Sequence, residues 1–285
     1  MLEINAQTKL CGVIGNPVEH SLSPAIHNAA FQKLGLNYVY LAFKVENLEG
    51  GIQGIRSLGN LRGLSVTIPH KVAAVPLLDE VDPTARNIGA INTIVVENGR
   101  LIGYNTDASG ALRALESAGV KLERESVLLL GSGGAARAIA FALAADGRIG
   151  RLRILGIDEK ERRGLVIDLR ARTGLQIEDA SLIEETLQQA LRDSTVVLHC
   201  SPLGMSPKVN ETCIPAYLLG RHLTVMDIVY NPLETRLLRE AKAAGCKTIR
   251  GLEMFLHQAA AQFELWTGKP APADVMRSVL ESRFS

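Results

Sequence analysis

The stretch VLLLGSGGAARAIAFAL, residues 127–143, decides the fold. It begins with a continuous apolar run, which is typical of a strand buried on both faces of a sheet. Glycines follow at once, and an alanine-rich segment then predicts a helix over 134–147. A glycine turn between a strand and a helix is suited to a dinucleotide, because glycine lets the backbone approach a pyrophosphate at the helix N-terminus.

The turn reads Gly131, Ser132, Gly133, Gly134 and Ala135, a GxGGA order rather than the more common GxGxxG. The motif alone is therefore weak, and the strand before it and the helix after it carry the interpretation. The alternative is a glycine turn that only packs the helix closely on the sheet.

A carboxylate follows the turn at a suitable distance. Asp158 lies 27 positions after Gly131, at the end of a second predicted strand over 151–158. A carboxylate there accepts hydrogen bonds from ribose hydroxyls and repels a 2′-phosphate, which favours NAD over NADP. The alternative is that Asp158 caps the next helix, since aspartate is a good N-cap.

Away from the glycine turn, apolar strand segments alternate with helical segments along most of the chain. Downstream, this order predicts a parallel sheet buried on both faces. Upstream, two β-branched runs around Asn98-Gly99 predict a hairpin over 91–105. Ser23 and Asp107 are suited to cap two helices, and 187–194 reads as a turn. Further strands are predicted at 10–15, 38–45, 61–68, 195–201 and 223–230, and further helices at 23–35, 47–59 and 162–174.

The composition is that of a globular protein. At 285 residues the chain is long for one hydrophobic core, so two domains are expected. The residues are 47% hydrophobic and the formal net charge is +1, which argues against disorder and against electrostatic binding to nucleic acid or an anionic membrane. No apolar run is long enough to span a bilayer, and the start lacks the layout of a signal peptide. Four cysteines without CxxC spacing favour a reducing, cytoplasmic location.

Residues 15–24, GNPVEHSLSP, place two hydroxyls, Ser21 and Ser23, in a loop after a predicted strand. One possibility is that they cap local structure, as serine often does in turns. The other is that they bind a ligand with hydroxyls or a carboxylate. Neutral hydroxyl donors can bind a carboxylate without the desolvation cost of burying a compensating cation.

Eight motifs, in this order, make the chain similar to the shikimate dehydrogenase family over nearly its whole length. They are GNPVEHSLSP, SVTIPHK, GAINT, YNTDASGA, GSGGAAR, SPLGM, DIVYNPLET and GLEMFLHQAAAQF. The resemblance implies an α/β fold with a substrate-binding catalytic domain over 1–106, a Rossmann NAD(P)-binding domain over 107–251, and C-terminal helices over 252–285 that pack on the substrate domain. It also implies reversible hydride transfer between a nicotinamide cofactor and 3-dehydroshikimate, in the chorismate pathway of aromatic amino acid biosynthesis.

The resemblance also assigns roles at the motif positions. Lys71 and Asp107 are implied to be catalytic, and which of them is the formal acid or base stays open. The substrate, a small cyclitol carboxylate, is implied to contact Ser21, Ser23, Thr67, Asn92, Tyr230 and Gln258. The cofactor, NAD or NADP, is implied to contact Gly131, Ser132, Gly133, Gly134, Ala135, Asp158 and Ser201. No metal is expected, because no histidine lies in an HExxH pattern, and the protein is expected to be a monomer or homodimer.

One departure from the family pattern concerns the cofactor. Many members carry Asn-Arg-Thr and a further arginine that hold the 2′-phosphate of NADP, whereas this chain reads Gly-Ile-Asp, ending at Asp158. Arg162 and Arg163 are nearby but one step off, in positions that can face solvent. This departure favours NAD and resembles the NAD-dependent quinate/shikimate dehydrogenases of cyclitol catabolism.

A second departure lies at 199–202, where the usual Asn-Ala-Thr-Pro reads His-Cys-Ser-Pro. Ser201 keeps a hydroxyl near the cofactor, and His199 has no assigned role. Two further readings stay open: a paralogue acting on a related cyclitol or amino analogue, and a non-catalytic protein that senses cyclitols. The presence of Lys71, Asp107 and the glycine turn argues against the non-catalytic protein.

Overall fold

The computed structural model describes residues 4–284. Contacts within the chain divide it into two compact units. Unit 1 comprises the described residues up to Thr106 and those from Leu256 onward, and unit 2 comprises Asp107–Phe255. Each unit is built on one sheet of six strands, so the predicted α/β class with two folded parts is confirmed.

The first part of the chain alternates strands with short helices. The strands are β1 (Lys9–Gly15), β2 (Tyr38–Lys44), β3 (Leu61–Val66), β4 (Glu80–Val81), β5 (Thr93–Glu97) and β6 (Arg100–Tyr104). The helices are α1 (Ser23–Lys33), α2 (Leu48–Arg56), α3 (His70–Ala73) and α4 (Pro83–Ile88), and Val75–Leu77 forms a 3-10 turn.

The alternation then becomes regular. The helices are α5 (Thr106–Ser117), α6 (Gly134–Asp146), α7 (Glu159–Arg172), α8 (Glu184–Arg192) and α9 (Arg236–Ala243). The strands are β7 (Ser126–Leu130), β8 (Arg151–Gly156), β9 (Gln176–Ser181), β10 (Val196–His199), β11 (Thr224–Asp227) and β12 (Lys247–Ile249), with a 3-10 turn at Ala216–Leu218. The long α10 (Gly251–Thr267) and α11 (Ala273–Ser282) follow.

The sheet of unit 2 has the doubly wound Rossmann order β9-β8-β7-β10-β11-β12, and all of its neighbouring strands are parallel. Leu128, Val197 and Val225 on its central strands are fully buried. Strands covered by helices on both faces are apolar throughout, and these continuous apolar runs are why the sequence predicts the parallel sheet. The strand order reverses between β7 and β10, the point at which such sheets bind ligands.

The sheet of unit 1 is mixed, in the order β2-β1-β3-β5-β6-β4. β1 runs parallel to β2 and β3, whereas β5 runs antiparallel to β3 and β6. Asn98 and Gly99 both have positive φ, 51° and 78°, as a two-residue hairpin turn requires, so the predicted hairpin is confirmed. Because of these directions, the ends of β1, β3 and β6 and the start of β5 lie at one edge of the sheet.

From Leu256 onward, the C-terminal helices belong to unit 1, as predicted. On α10, the indole Nε1 of Trp266 donates to the Ile94 carbonyl at 3.0 Å. A Cβ at Gly63 of β3 would lie 2.1 Å from that nitrogen, so glycine is required for this close approach. α11 packs against α1.

Both predicted helix caps are wrong, by one residue at Ser23 and by two at Asp107. Ser23 is the first residue of α1 rather than its cap, and the capping position is occupied by Leu22, whose side chain makes no capping bond. α5 begins at Thr106, which places Asp107 inside the first turn. There the amide of Thr106 donates to the side chain of Asn92 at 2.7 Å, so a residue from another segment supplies the acceptor.

The predicted turn at 187–194 is also wrong, because most of it belongs to α8. This helix buries Leu187, Ala190 and Leu191 on one face, a spacing of three to four residues that is typical of an amphipathic helix. The sequence did not predict β4, α4, β9, α9 or β12, and β4 and β12 are only two and three residues long.

Candidate functional site

The loops after β1 and β3 leave the sheet of unit 1 at the same edge. Thr67 follows β3, and its amide donates to the Ile14 carbonyl at 3.0 Å. Asn92 enters β5 at this edge, and its carbonyl accepts from the Val66 amide at 2.7 Å. The structure therefore brings the loop of Ser21, the segment from Thr67 to Lys71, and Asn92 to one edge.

The two serines of the first loop have different environments. Ser21 is half-buried, and its Oγ accepts from the Ser23 amide at 3.3 Å. Ser23 is buried, and its hydroxyl lies near that of Tyr40. Burial raises the pKa of the Tyr40 phenol, so this group stays protonated. Ser23 thus has a neutral, fully buried side chain as its inner neighbour.

A buried chain of hydrogen bonds continues from Tyr40 across the unit. The phenol donates to Ser65 Oγ at 2.6 Å, and Ser65 donates to Gln262 Oε1 at 2.8 Å. Gln262 Nε2 donates to the Asn92 carbonyl at 3.0 Å and to Thr93 Oγ1 at 2.9 Å. The sequence did not reveal Tyr40, Ser65 and Gln262 as a connected set. The available signal was Gln262, one helical turn after Gln258.

Asn92 has most of its side-chain bonds within unit 1. Its Oδ1 accepts from the Thr106 amide and from Thr93 Oγ1, both at 2.7 Å. Its Nδ2 donates to Thr106 Oγ1 at 2.9 Å and lies 3.4 Å from Gln258 Oε1. Asn92 therefore fixes the start of α5 and the orientation of Gln258, which is itself buried.

Lys71 and Asp107, which are implied to be catalytic, lie in different units. Lys71 is half-buried in the short α3, and its carbonyl accepts from the Ile91 amide at 2.9 Å. Asp107 is buried in the first turn of α5. The amide dipoles at a helix N-terminus favour a negative charge, which suits a carboxylate at this position.

The glycine turn of unit 2 has the geometry that a phosphate site requires. Gly131 has φ +116°, and a Cβ there would lie 2.8 Å from the Cys200 carbonyl oxygen. Gly133 caps α6 without any side-chain bond, and an added Cβ at Gly133 or Gly134 would meet open space within the described chain. The first amides of α6, from Gly134 and Ala135, fit the pyrophosphate of a dinucleotide in charge and in space.

Ser132, between the glycines, turns its side chain away from the open space. Its hydroxyl donates to Glu161 Oε2 at 3.2 Å, and a Cβ on Gly156 would lie 3.1 Å from that hydroxyl. Contact between Ser132 and a cofactor is therefore expected through its backbone.

Asp158 is exposed at the N-terminus of α7, and its Oδ1 accepts from the Glu161 amide at 2.8 Å. The capping role, left open by the sequence, is confirmed. The expectation that Arg162 faces solvent is wrong. Arg162 is 4% exposed, with Nε 3.0 Å from Asp179 Oδ2 and Nη1 2.9 Å from the Gly156 carbonyl. It does not face solvent. Arg163 does, and it pairs with Glu159 at 2.8 Å.

Two further residues that are implied to contact a ligand, Tyr230 and Ser201, follow β11 and β10 of the unit 2 sheet. Tyr230 comes three residues after β11, its ring lies 4.6 Å from that of Phe255, and burial raises the pKa of its phenol. Ser201 comes two residues after β10, and its Oγ lies 2.5 Å from His199 Nε2.

Within residues 4–284, no helix has both the length and the apolar character needed to cross a membrane. The same residues contain no group of three or more His, Cys, Asp or Glu side chains suited to hold a metal ion.

Comparison with known proteins adds to this geometry. Residues 13–94 match the model of the shikimate dehydrogenase substrate binding domain, and residues 251–281 match that of the shikimate 5′-dehydrogenase C-terminal domain. The chain is 47% identical over 274 residues to a shikimate dehydrogenase (NADP(+)) of Symbiobacterium thermophilum, covering 95% of this chain and 92% of the relative. The chain belongs to the shikimate dehydrogenase family.

Solved structures of family members agree. A crystal structure of a shikimate dehydrogenase in complex with NADP+ has a TM-score of 0.93 and 40% identity, covering 99% of this chain and 98% of the other. A shikimate 5-dehydrogenase of Listeria monocytogenes in complex with shikimate and NAD has a TM-score of 0.92 and 38% identity, covering 98% and 99%. The family resemblance predicted from the sequence motifs is confirmed.

Proposed function

We propose that this protein is a shikimate dehydrogenase, which interconverts 3-dehydroshikimate and shikimate by reversible hydride transfer with NAD or NADP in aromatic amino acid biosynthesis. One observation carries the proposal. The family relationship extends over nearly the whole chain, and the motifs that carry it lie at the ligand-binding edges of two separate sheets.

Substrate binding is assigned to unit 1 and to Tyr230. Ser21 and Ser23 donate hydroxyl hydrogen bonds to the carboxylate. Thr67, Asn92 and Gln258 contact the ring hydroxyls, since amides and hydroxyls both donate and accept. Tyr230 covers the ring as an aromatic lid.

Proton transfer is assigned to Lys71 and Asp107. When bound, the nicotinamide supplies the hydride for reduction and takes it up in the reverse direction. Lys71 gives a proton to the carbonyl oxygen as the carbon receives hydride, and takes it back during oxidation. Asp107 orients the ammonium group and the substrate hydroxyl. The ketone gains one hydride and one proton and becomes the alcohol.

We further propose that the two units act as domains, with substrate binding over 1–106 and 252–285 and cofactor binding over 107–251. The division of contacts after Thr106 and Phe255 supports this organisation. A cytoplasmic location and a monomeric or homodimeric state stay predictions from the sequence.

NAD is proposed as the preferred cofactor. The exposed carboxylate of Asp158 suits ribose hydroxyls and repels a 2′-phosphate. Arg162, a cation that the sequence placed near this phosphate, is instead bound to Asp179 and the Gly156 carbonyl. Arg163 remains at the surface beside Glu159.

The experiment is a set of initial rates for shikimate and quinate oxidation with NAD and with NADP, on one preparation. The expected result is shikimate oxidation with a preference for NAD. Substantial quinate turnover would favour the catabolic branch instead. Measurable cyclitol binding without turnover on any combination would contradict the enzymatic function and favour a sensing role.

A further inference from the structure

Three side chains form a buried relay beyond the reversal point of the unit 2 sheet. His199 ends β10 and is 1% exposed, and Asp227 ends the neighbouring β11 and is fully buried. The imidazole Nδ1 lies 2.9 Å from Asp227 Oδ1, and Nε2 lies 2.5 Å from Ser201 Oγ. The imidazole thus connects a buried carboxylate to a half-buried hydroxyl.

Asp227 is surrounded by donors. Its Oδ1 also accepts from the Val229 amide at 3.0 Å, and its Oδ2 accepts from Thr235 Oγ1 at 2.6 Å. The Val229 amide and the Thr235 hydroxyl both donate to this carboxylate, which can only accept a hydrogen bond from the imidazole. Nδ1 of His199 therefore carries a proton.

We propose that His199 is a positioning residue of the cofactor site: as an imidazolium between Asp227 and Ser201, it makes the Ser201 hydroxyl a hydrogen-bond donor toward the nicotinamide half of the dinucleotide. This inference rests on the proposed function and on the family resemblance, which implies that Ser201 contacts the cofactor. The topology supports the half of the cofactor named, because β7 and β8 carry the features for the adenosine half and β10 begins the second mononucleotide-binding half.

The electrostatics of the relay favour the charged imidazole. Burial lowers the pKa of His199, but the hydrogen bond to Asp227 and the electrostatic interactions with Asp227 and Cys213 outweigh it and raise the pKa to about 10. The titratable groups that face the relay are Asp227 on β11, Cys213 in the segment between β10 and β11, and the buried Cys200. None of these is a cation that would oppose the charge.

The protonation state of His199 decides whether the Ser201 hydroxyl accepts a hydrogen bond from the imidazole or donates one to it. Nε2–H donates to Ser201 Oγ, and the Leu203 amide lies 3.4 Å from the same oxygen. With its oxygen accepting on the inside, the hydroxyl proton points outward to a ligand. A neutral imidazole would accept that proton instead, and the hydroxyl would be lost as a donor to the cofactor.

The first test is nitrogen-15 NMR of the histidine rings in the wild-type protein without cofactor at pH 7.5. Signals of His199 are identified by their loss in His199→Asn and their shift in Ser201→Ala. Two protonated ring nitrogens are expected. A neutral ring would overturn the inference, and this readout requires no turnover.

The second test is cofactor affinity, measured by titration with NAD and NADP. Asparagine is too short to contact both partners, so His199→Asn and Ser201→Ala are each expected to raise the Kd about tenfold, the scale of one charge-assisted hydrogen bond. The double variant should bind no more weakly than Ser201→Ala, because His199 acts through Ser201. His222→Asn, an exposed histidine of the same unit, is the control.

Additive losses in the double variant, or unchanged affinity in His199→Asn, would overturn the inference. If the wild type binds a dinucleotide but oxidises no cyclitol, the proposed function fails while these results still decide the role of His199. If His199→Asn does not fold, the wild-type ring signals and their response to Ser201→Ala decide it.

Discussion

Acidification from pH 7 to pH 5 is expected to cost the protein about 2 kcal/mol of unfolding free energy through one side chain, His27. This histidine of α1 is fully buried, with its ring 4.6 Å from that of Tyr40 and 5.2 Å from that of Trp266. Neither ring nitrogen has a hydrogen-bond partner within residues 4–284. Burial therefore lowers the pKa of His27 from 6.5 to about 3.

The sign follows from the difference between folded and unfolded chains. Below pH 6.5 the unfolded chain binds a proton that the folded chain excludes until about pH 3, so stability falls with pH across that range. The penalty is about 0.2 kcal/mol at pH 7 and about 2 kcal/mol at pH 5, at 1.36 kcal/mol per unit.

The assay is urea unfolding at both pH values, followed by the fluorescence of Trp266, the single tryptophan, which lies in the same ring cluster. His27→Phe keeps an aromatic ring and removes the titrating group, so its stability should drop by about 2 kcal/mol less than that of the wild type. The control is His20→Phe, at an exposed histidine. Equal drops in wild type and His27→Phe would refute the reasoning.

Three further results are expected. Lys71→Met should lower kcat at least about 100-fold while cofactor Kd stays within about twofold; steady-state rates near wild type would remove Lys71 from catalysis. Gly131→Ala should lose about 2 kcal/mol of stability and weaken cofactor binding, because its φ is +116° and its Cβ would meet Cys200. The helical control Gly164→Ala, where a Cβ meets open space, should gain about 0.5 kcal/mol in the same melts. Asp158→Ser keeps a capping side chain but loses the charge, so the NADP-to-NAD ratio of kcat/KM should rise about tenfold, unlike in Glu159→Ser; an unchanged ratio would mean that Asp158 does not select the cofactor.

The parts of the fold that were predictable carry their signal locally. The central strands of unit 2 are apolar runs, and the Asn98-Gly99 turn needs only two residues with positive φ. β9, QIEDAS, is an edge strand with several polar side chains, so it shows no buried run. The start of α5 was misplaced because its acceptor, Asn92, comes from fourteen residues earlier in the chain.

The candidate site shows the same contrast between residues indicated by local sequence and contacts made by distant segments. The motifs indicated Ser21, Thr67 and the glycine turn, because each lies in a short contiguous stretch. The burial of Arg162 was not predictable, because its partner Asp179 lies on β9, which follows α7 in the sequence and contacts Arg162 only in the folded unit. The bonds from Tyr40 to Gln262 likewise join segments that only the folded unit brings together.

In the proposed enzyme, the buried path from Tyr40 through Ser65 and Gln262 to Asn92 fixes the distance between the serine loop and Asn92. The carboxylate anchor and the hydroxyl anchor are spaced by the sheet itself, so little ordering is left for the moment of binding. A rigid ring that holds its carboxylate and hydroxyls at a fixed separation suits two binding positions at a fixed distance. A flexible, open-chain hydroxy acid with the same groups must lose conformational freedom to contact both the carboxylate anchor and the hydroxyl anchor.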